Sequence, residues 1–293
     1  MSSTAFFIFG SGSGTGKTTI ASRLQQDLES RAGNVCTLYE IEVQLIKEFA
    51  PFQKLFWTGD PAMVDALCEA VDVLGDRYFD ADFFISESLF PFLRWLILGN
   101  CGPAQIERFC LWMRSRFEPM DVKLIALICD RDTAVGRALQ DRGPQWLEQW
   151  TVKQRNYPLY QKHPGSDLWE VFDREVGYAQ EIGWELLTFD TAVMPREDIV
   201  EVVTRSQTLP DRASLPTCTL DDGVYRAKNV SHPLLETIEL ASGRIKLMGV
   251  WLDLIPRSNR EARIANSNSV LVVGAYGLTL QSMRFGELTY FPV

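Results

Sequence analysis

The stretch Phe6-Phe7-Ile8-Phe9-Gly10-Ser11-Gly12-Ser13-Gly14-Thr15-Gly16-Lys17-Thr18-Thr19 decides the reading of this chain. A short apolar run bounded by glycines reads as a buried strand, and Ile20, Leu24 and Leu28 beyond it are spaced as one face of a helix. Between them, Gly12, Gly14 and Gly16 let consecutive backbone N–H groups of residues 12–16, Ser13 and Thr15 included, turn inward around a phosphate. The dipole of the following helix favours the same anion. Lys17 would reach the β- and γ-phosphates, the Thr18 hydroxyl would ligate Mg²⁺, and Thr19 completes the motif. Ser11 stands where the strict pattern has its first glycine, and the flanking strand and helix restore the assignment. A nucleoside triphosphate is the expected ligand.

A chain of 293 residues with 46% apolar content can bury a full core and hold more than one domain. Its formal charge of −9 disfavours duplex nucleic acid or an anionic membrane surface as a generic partner, so a small acceptor is the default. Met1-Ser2-Ser3-Thr4 lacks a basic leader, and the run 89–98 is broken by Pro91 and Arg94, so no signal peptide or span is expected and the location reads as cytoplasmic. Six cysteines scattered without a C-x-x-C pair read as reduced core thiols, and two histidines leave no His-based metal centre.

Strands are expected near 5–9, 35–39, 83–86, 124–129 and 185–189, alternating with helices near 17–31, 61–77, 104–116, 132–142 and 195–206. The fold class is therefore α/β, a mostly parallel sheet flanked by helices, over residues 1–207. A Pro/Ser-rich linker near 208–216 leads to a small all-β domain over 217–293, expected to be antiparallel and sandwich- or barrel-like. Its aromatics Trp251, Tyr276 and Tyr290 suit either the core or a binding platform, and core is expected for most of them. A homo-oligomer through this module remains open.

Glu87 ends the apolar strand Phe83-Phe84-Ile85-Ser86, where an acid can hold the metal's water shell or take a proton from an acceptor hydroxyl. A helix cap is its structural alternative. Further on, Leu124 to Cys129, then Asp130, then Arg137 and Arg142-Gly143, is similar to the strand, acidic turn and Arg-x-x-x-x-Arg-Gly helix of the nucleoside and nucleotide kinase group of P-loop proteins. The resemblance spans about residues 5–206 and implies that Arg137 and Arg142 clamp the triphosphate from a mobile lid over 131–165. The guanidinium fork suits that role, although an exposed helix pairing Asp with Arg would look the same. Deoxynucleoside kinases carry Glu-Arg-Ser where this chain has Glu87-Ser88-Leu89, so their substrate class does not carry over.

Residues expected on the acceptor side are Glu40 and Glu42 after the second strand, Phe56 and Trp57, Arg94, and the pair Arg114 and Arg116. An aromatic with an acid would suit a nucleoside, and paired arginines an acceptor that already bears phosphate. The aromatic and cationic stretch 146–163 reads as an amphipathic helix on the sheet, with single-strand contact as the rarer option. The leading expectation is an ATP- and Mg²⁺-dependent phosphotransferase acting on a small, nucleoside-like acceptor. Alternatives are a kinase for a modified base or end of a DNA or RNA strand, and a nucleotide-dependent switch or assembly ATPase.

Overall fold

The computed structural model describes residues 3–31, 35–40, 47–78, 81–87, 91–205, 207, 220–227, 230, 233–258, 260–264, 269–274, 277–282 and 286–293. Contacts gather the chain into two compact units, residues 1–24 with 38–207 and residues 25–37 with 208–293.

Five parallel strands make one sheet in the order β2-β3-β1-β4-β5: β1 (Thr4–Gly10), β2 (Val35–Leu38), β3 (Phe83–Ser86), β4 (Asp121–Ile128) and β5 (Glu185–Asp190). Every residue of β1 is buried, as befits a central strand covered on both faces. Phe6 stacks near Phe83 across the β1–β3 pair, while Phe7 meets Phe84 and Phe117 edge-on. The chain order reverses at β1, so the crevice beyond its carboxyl end is where such sheets place ligands. Pairing with β3 runs only from Thr4↔Phe83 to Phe7↔Ser86, whereas pairing with β4 continues to Gly10↔Leu127. Beyond Phe7 the ladder of β1 continues on the β4 side.

The helices are α1 (Lys17–Ser30), α2 (Ala50–Thr58), α3 (Met63–Tyr78), α4 (Pro91–Leu98), α5 (Pro103–Arg116), α6 (Arg131–Arg142), α7 (Pro144–Arg155), α8 (Pro158–Lys162), α9 (Leu168–Ile182) and α10 (Arg196–Arg205). Proline opens α5, α7 and α8, where its missing N–H is no loss and its φ is already helical. Asp167 caps α9 by accepting from the Trp169 N–H, Glu170 returns the bond, and Gly183 at φ 77° ends the helix. The stretch 146–163 departs from expectation. It splits into α7 and α8, and α7 buries none of its residues; Trp146 and Trp150 stack on each other, centroids 5.2 Å apart, instead of covering the sheet.

The all-β part is a closed antiparallel barrel of eight strands: β6 (Gly223–Ala227), β7 (Thr237–Ala241), β8 (Arg244–Leu247), β9 (Val250–Ser258), β10 (Glu261–Ile264), β11 (Val270–Val273), β12 (Leu278–Ser282) and β13 (Gly286–Pro292). Pairing of β13 with β6 and of β9 with β10 leaves no free edge. The run 245–254, which reads as one strand, is two. Met248 and Gly249 at φ 54° and 83° make a tight hairpin turn, as Ser242 and Gly243 do at 51° and 74° between β7 and β8. Alternation sends Ile238, Leu240, Ile245, Ile264, Leu271, Leu280 and Tyr290 into a common core. Tyr290 is fully buried there and its hydroxyl donates to the Leu235 carbonyl at 2.8 Å. Trp251 differs from expectation: it pairs with Lys246 on the outward face, between the Arg244 and Lys246 cations. Tyr276 lies outside the described residues.

Gly277 gives a sharp test of the barrel. A Cβ there would lie 2.1 Å from the Tyr290 carbonyl oxygen, whereas at Gly223 the nearest atom is a Tyr225 ring carbon at 3.7 Å. Gly277→Ala should therefore lose about 2–3 kcal/mol through the forced backbone shift, and Gly223→Ala should stay within about 0.5 kcal/mol. Denaturant midpoints of the two variants check this.

Candidate active site

The carboxyl ends of β1, β2 and β3 carry the glycine-rich loop 11–16, Glu40 and Glu87 to one edge of the sheet. The loop is locked by its own bonds. Thr15 Oγ1 donates to the Gly12 carbonyl at 2.9 Å, Lys17 Nζ to the same carbonyl at 3.0 Å, and Ser11 Oγ to the Cys129 carbonyl at 3.4 Å. Gly14 and Gly16 sit at φ 84° and 89°, where an L side chain is strained. Space also demands glycine at 14, because a Cβ would lie 2.0 Å from the Ala134 carbonyl of α6. At Gly12 a Cβ would touch the Trp169 ring at 3.4 Å. Helix α6 and the first turn of α9 thus pack directly on the loop.

Thr18 and Glu87 meet. The Thr18 hydroxyl donates to Glu87 Oε2 at 2.8 Å, and Glu87 Oε1 accepts the Glu40 backbone N–H at 3.3 Å. Thr18 is exposed and Glu87 is buried, so the pair opens from the loop toward solvent. A hydroxyl beside a carboxylate is an all-oxygen donor set that fits Mg²⁺ with several of its waters retained. Among the described residues no group of three His, Cys, Asp or Glu side chains could hold a metal ion. Burial raises the pKa of Glu87, opposed by the Thr18 hydrogen bond and the Lys17 charge. Burial likewise lowers Lys17, reinforced by Arg94 and offset by Glu40, Glu87 and Glu175.

One member of this cluster, Glu175, emerges only from the fold, and another, Arg94, is placed otherwise than its sequence position suggests. Arg94, on α4, donates through Nε to Glu175 Oε2 at 3.0 Å and through Nη2 to the Gly10 carbonyl at 2.6 Å; Nη2 also reaches Glu175. It is thus not a free group on the acceptor side. Glu175, on α9, is fully buried, and burial lifts its carboxyl to about 7 against the pull of Arg94. Its signal in the sequence is its place within the buried stripe Leu168, Val171, Phe172, Ala179 and Ile182.

The remaining sequence candidates scatter. Phe56 is core, 1% exposed, while Trp57 is 47% exposed and stacks on Tyr157 with centroids 5.8 Å apart. Arg114 and Arg116 lie at the end of α5 that leads into β4, with Arg116 bound to Asp72 at 2.9 Å and Arg114 near Gly183 just before β5. That is the opposite edge of the sheet from the loop, which corrects the expectation that they line an acceptor site; a parallel sheet sends the two ends of each helix to opposite edges. Arg137 is held by the Thr191 carbonyl at 2.9 Å and hydroxyl at 3.3 Å, and Arg142 lies 5.5 Å from the Trp146 ring centroid. In this structure neither reaches the loop, so a clamp requires both to leave these partners. Arg131, which the pattern passes over, sits 5.3 Å above Trp169 and is paired with Asp167. Glu42 lies outside the described residues. Among the described residues no helix is long and apolar enough to cross a membrane.

No family model and no curated protein matches the sequence. Among solved structures, the YorR protein of Bacillus subtilis in complex with phosphorylated GDP is similar at a TM-score of 0.42 and 13% identity, covering 69% of this chain and 94% of that one. The deoxyadenosine kinase of M. mycoides with bound dCTP is similar at 0.41 and 15%, covering 69% and 97%.

The pKa of Glu175 yields a stability test. Its native carboxyl titrates near 7 against an ordinary 4.5, so the native state binds the proton more tightly than the unfolded chain. The stability it lends is full below about 4.5 and is lost as pH rises through about 7. Glu175→Gln should flatten the fall of Tm across that window, measured by thermal melts at a series of pH values.

Proposed function

We propose that this chain is an ATP-dependent phosphotransferase that moves the γ-phosphoryl group to a hydroxyl of a small, nucleoside-like acceptor. The observation that carries the reading is the junction of Thr18 with Glu87 at the mouth of a loop whose Lys17 is already directed into it. Backbone N–H groups of residues 12–16 and Lys17 would bind the triphosphate, with Thr18 and Glu87 holding Mg²⁺ through its waters. Bound there, the ion would neutralise charge on the transferring phosphoryl group. Glu87 orients the acceptor hydroxyl and, with a pKa raised by burial, is suited to take its proton. Glu40 adds a second carboxyl beside it, its N–H fixed on Glu87 Oε1 at 3.3 Å.

A hydroxyl acceptor is favoured over a phosphate-bearing one for a specific reason. Arg114 and Arg116 lie at the far edge of the sheet, and Arg94 is occupied by Glu175 and Gly10. Closure of α6 and α7, with Arg137 and Arg142 released onto the triphosphate, would exclude water from the transfer.

The test is turnover of ATP and Mg²⁺ by the purified protein against a pooled panel of nucleosides, nucleotides, sugars and modified oligonucleotides, with products read by mass. A product gaining one phosphoryl group, absent with Lys17→Ala, is expected. Acceptor-independent hydrolysis without such a product would instead make the chain a switch ATPase. Glu87→Gln should lower kcat by about 10²–10⁴-fold while leaving ATP binding within a few-fold of wild type, checked by single-turnover kinetics and titration.

A further inference from the structure

Peptide geometry at the end of β1 singles out one peptide group. The Ser11 N–H donates to the Leu127 carbonyl on β4 at 3.2 Å. In a trans peptide the carbonyl of the preceding residue points the other way, so the Gly10 carbonyl faces the β3 side. There the ladder has already ended, since β3 pairs with β1 only as far as Phe7↔Ser86. A carbonyl left without a partner beside a buried strand is costly, by about 1–3 kcal/mol. Arg94 supplies the missing donor, its Nη2 at 2.6 Å from the Gly10 oxygen.

The guanidinium is itself fixed. Its Nε and Nη2 both donate to Glu175 Oε2, from a carboxyl that is fully buried in α9. The other oxygen, Oε1, is buried without a hydrogen-bond partner among the described residues. A fully buried acid that spends one oxygen on a single arginine, in a stripe that is otherwise apolar, has little structural value of its own. It has value if the arginine must be aimed.

We propose that Arg94 and Glu175 are positioning residues of the phosphate site: Arg94 clamps the Gly10–Ser11 peptide that leads into the loop, and Glu175 aims Arg94. The proposal rests on the phosphotransferase reading for its consequence, namely triphosphate affinity. The peptide plane between Gly10 and Ser11 sets the direction in which the N–H groups of the following residues start their turn. Held by Leu127 on one side and Arg94 on the other, it keeps those donors aimed before any anion arrives. Lysine cannot replace arginine, because one ammonium on a flexible stem does not span the carbonyl and the carboxyl with fixed geometry.

The experiment uses the full chain and two readouts. The first is hydrogen exchange of the Ser11 amide and its loop neighbours; the second is the affinity for a fluorescent ATP analogue with Mg²⁺, read by titration without any acceptor. Arg94→Lys should speed Ser11 exchange at least tenfold and weaken the analogue by roughly tenfold, with a lowered Tm but a single cooperative melt. Glu175→Gln retains an amide oxygen for the guanidinium and should shift both readouts in the same direction by less; it also decides the matter should Arg94→Lys fail to fold. Exchange and affinity unchanged in a folded variant would overturn the proposal. If wild type binds no analogue, the phosphotransferase reading fails, and the exchange result alone settles whether Arg94 holds the peptide.

Discussion

Burial of β1 is the constraint on which the first unit depends. Thr4 to Gly10 has sheet neighbours on both edges and helices on both faces, and each of Phe6, Phe7, Ile8 and Phe9 removes a large apolar side chain from water, worth roughly 2 kcal/mol apiece. A strand of that kind cannot slip, since any shift in register would break the ladder to β4 along its whole length. The loop that follows therefore starts from a fixed point. Ordering such a loop costs about 1–2 kcal/mol of backbone entropy per residue, which explains why Ser11, Thr15 and Lys17 all bond back onto backbone carbonyls.

The electrostatics follow from the same burial. Around the loop stand two cations, Lys17 and Arg94, and three carboxyls, Glu40, Glu87 and Glu175. With every group ionised the cluster would be net negative. Desolvation raises the pKa of both Glu87 and Glu175, opposed at Glu87 by Thr18 and Lys17 and at Glu175 by Arg94. It also presses on Lys17, against the pull of Glu40, Glu87 and Glu175.

How legible this was depends on the range of the interaction. The strand, the loop and the five-strand alternation are written in local patterns, and the observed strands fall within three residues of where periodicity puts them. The barrel was legible as β-rich but not as eight strands, because Met248-Gly249 inside the run 245–254 turns the chain without a polar signal. Arg94 and Glu175 were illegible as a pair, since 81 residues separate them and only the packing of α4 against α9 brings them together. Arg114 misled for a related reason: composition marks it as a cation, but only the direction of α5 tells which edge of the sheet it reaches. For Arg137 the pattern gives a helix position and not the partner, Thr191, that holds it in this structure.

The barrel constrains function by what fills it. Its interior is occupied by a continuous apolar cluster closed over by Tyr290, whose hydroxyl is satisfied by the Leu235 carbonyl. Small closed barrels of this size fill with side chains or enclose one small ligand, and here the inward positions are taken by Leu, Ile and Tyr. Recognition by this unit would therefore have to use its outer face or hairpin tips, where Trp251 lies between Arg244 and Lys246 and where Met248 and Val250 are exposed. Those two cations are countered by Asp253 at 3.1 Å and Glu239 at 3.4 Å.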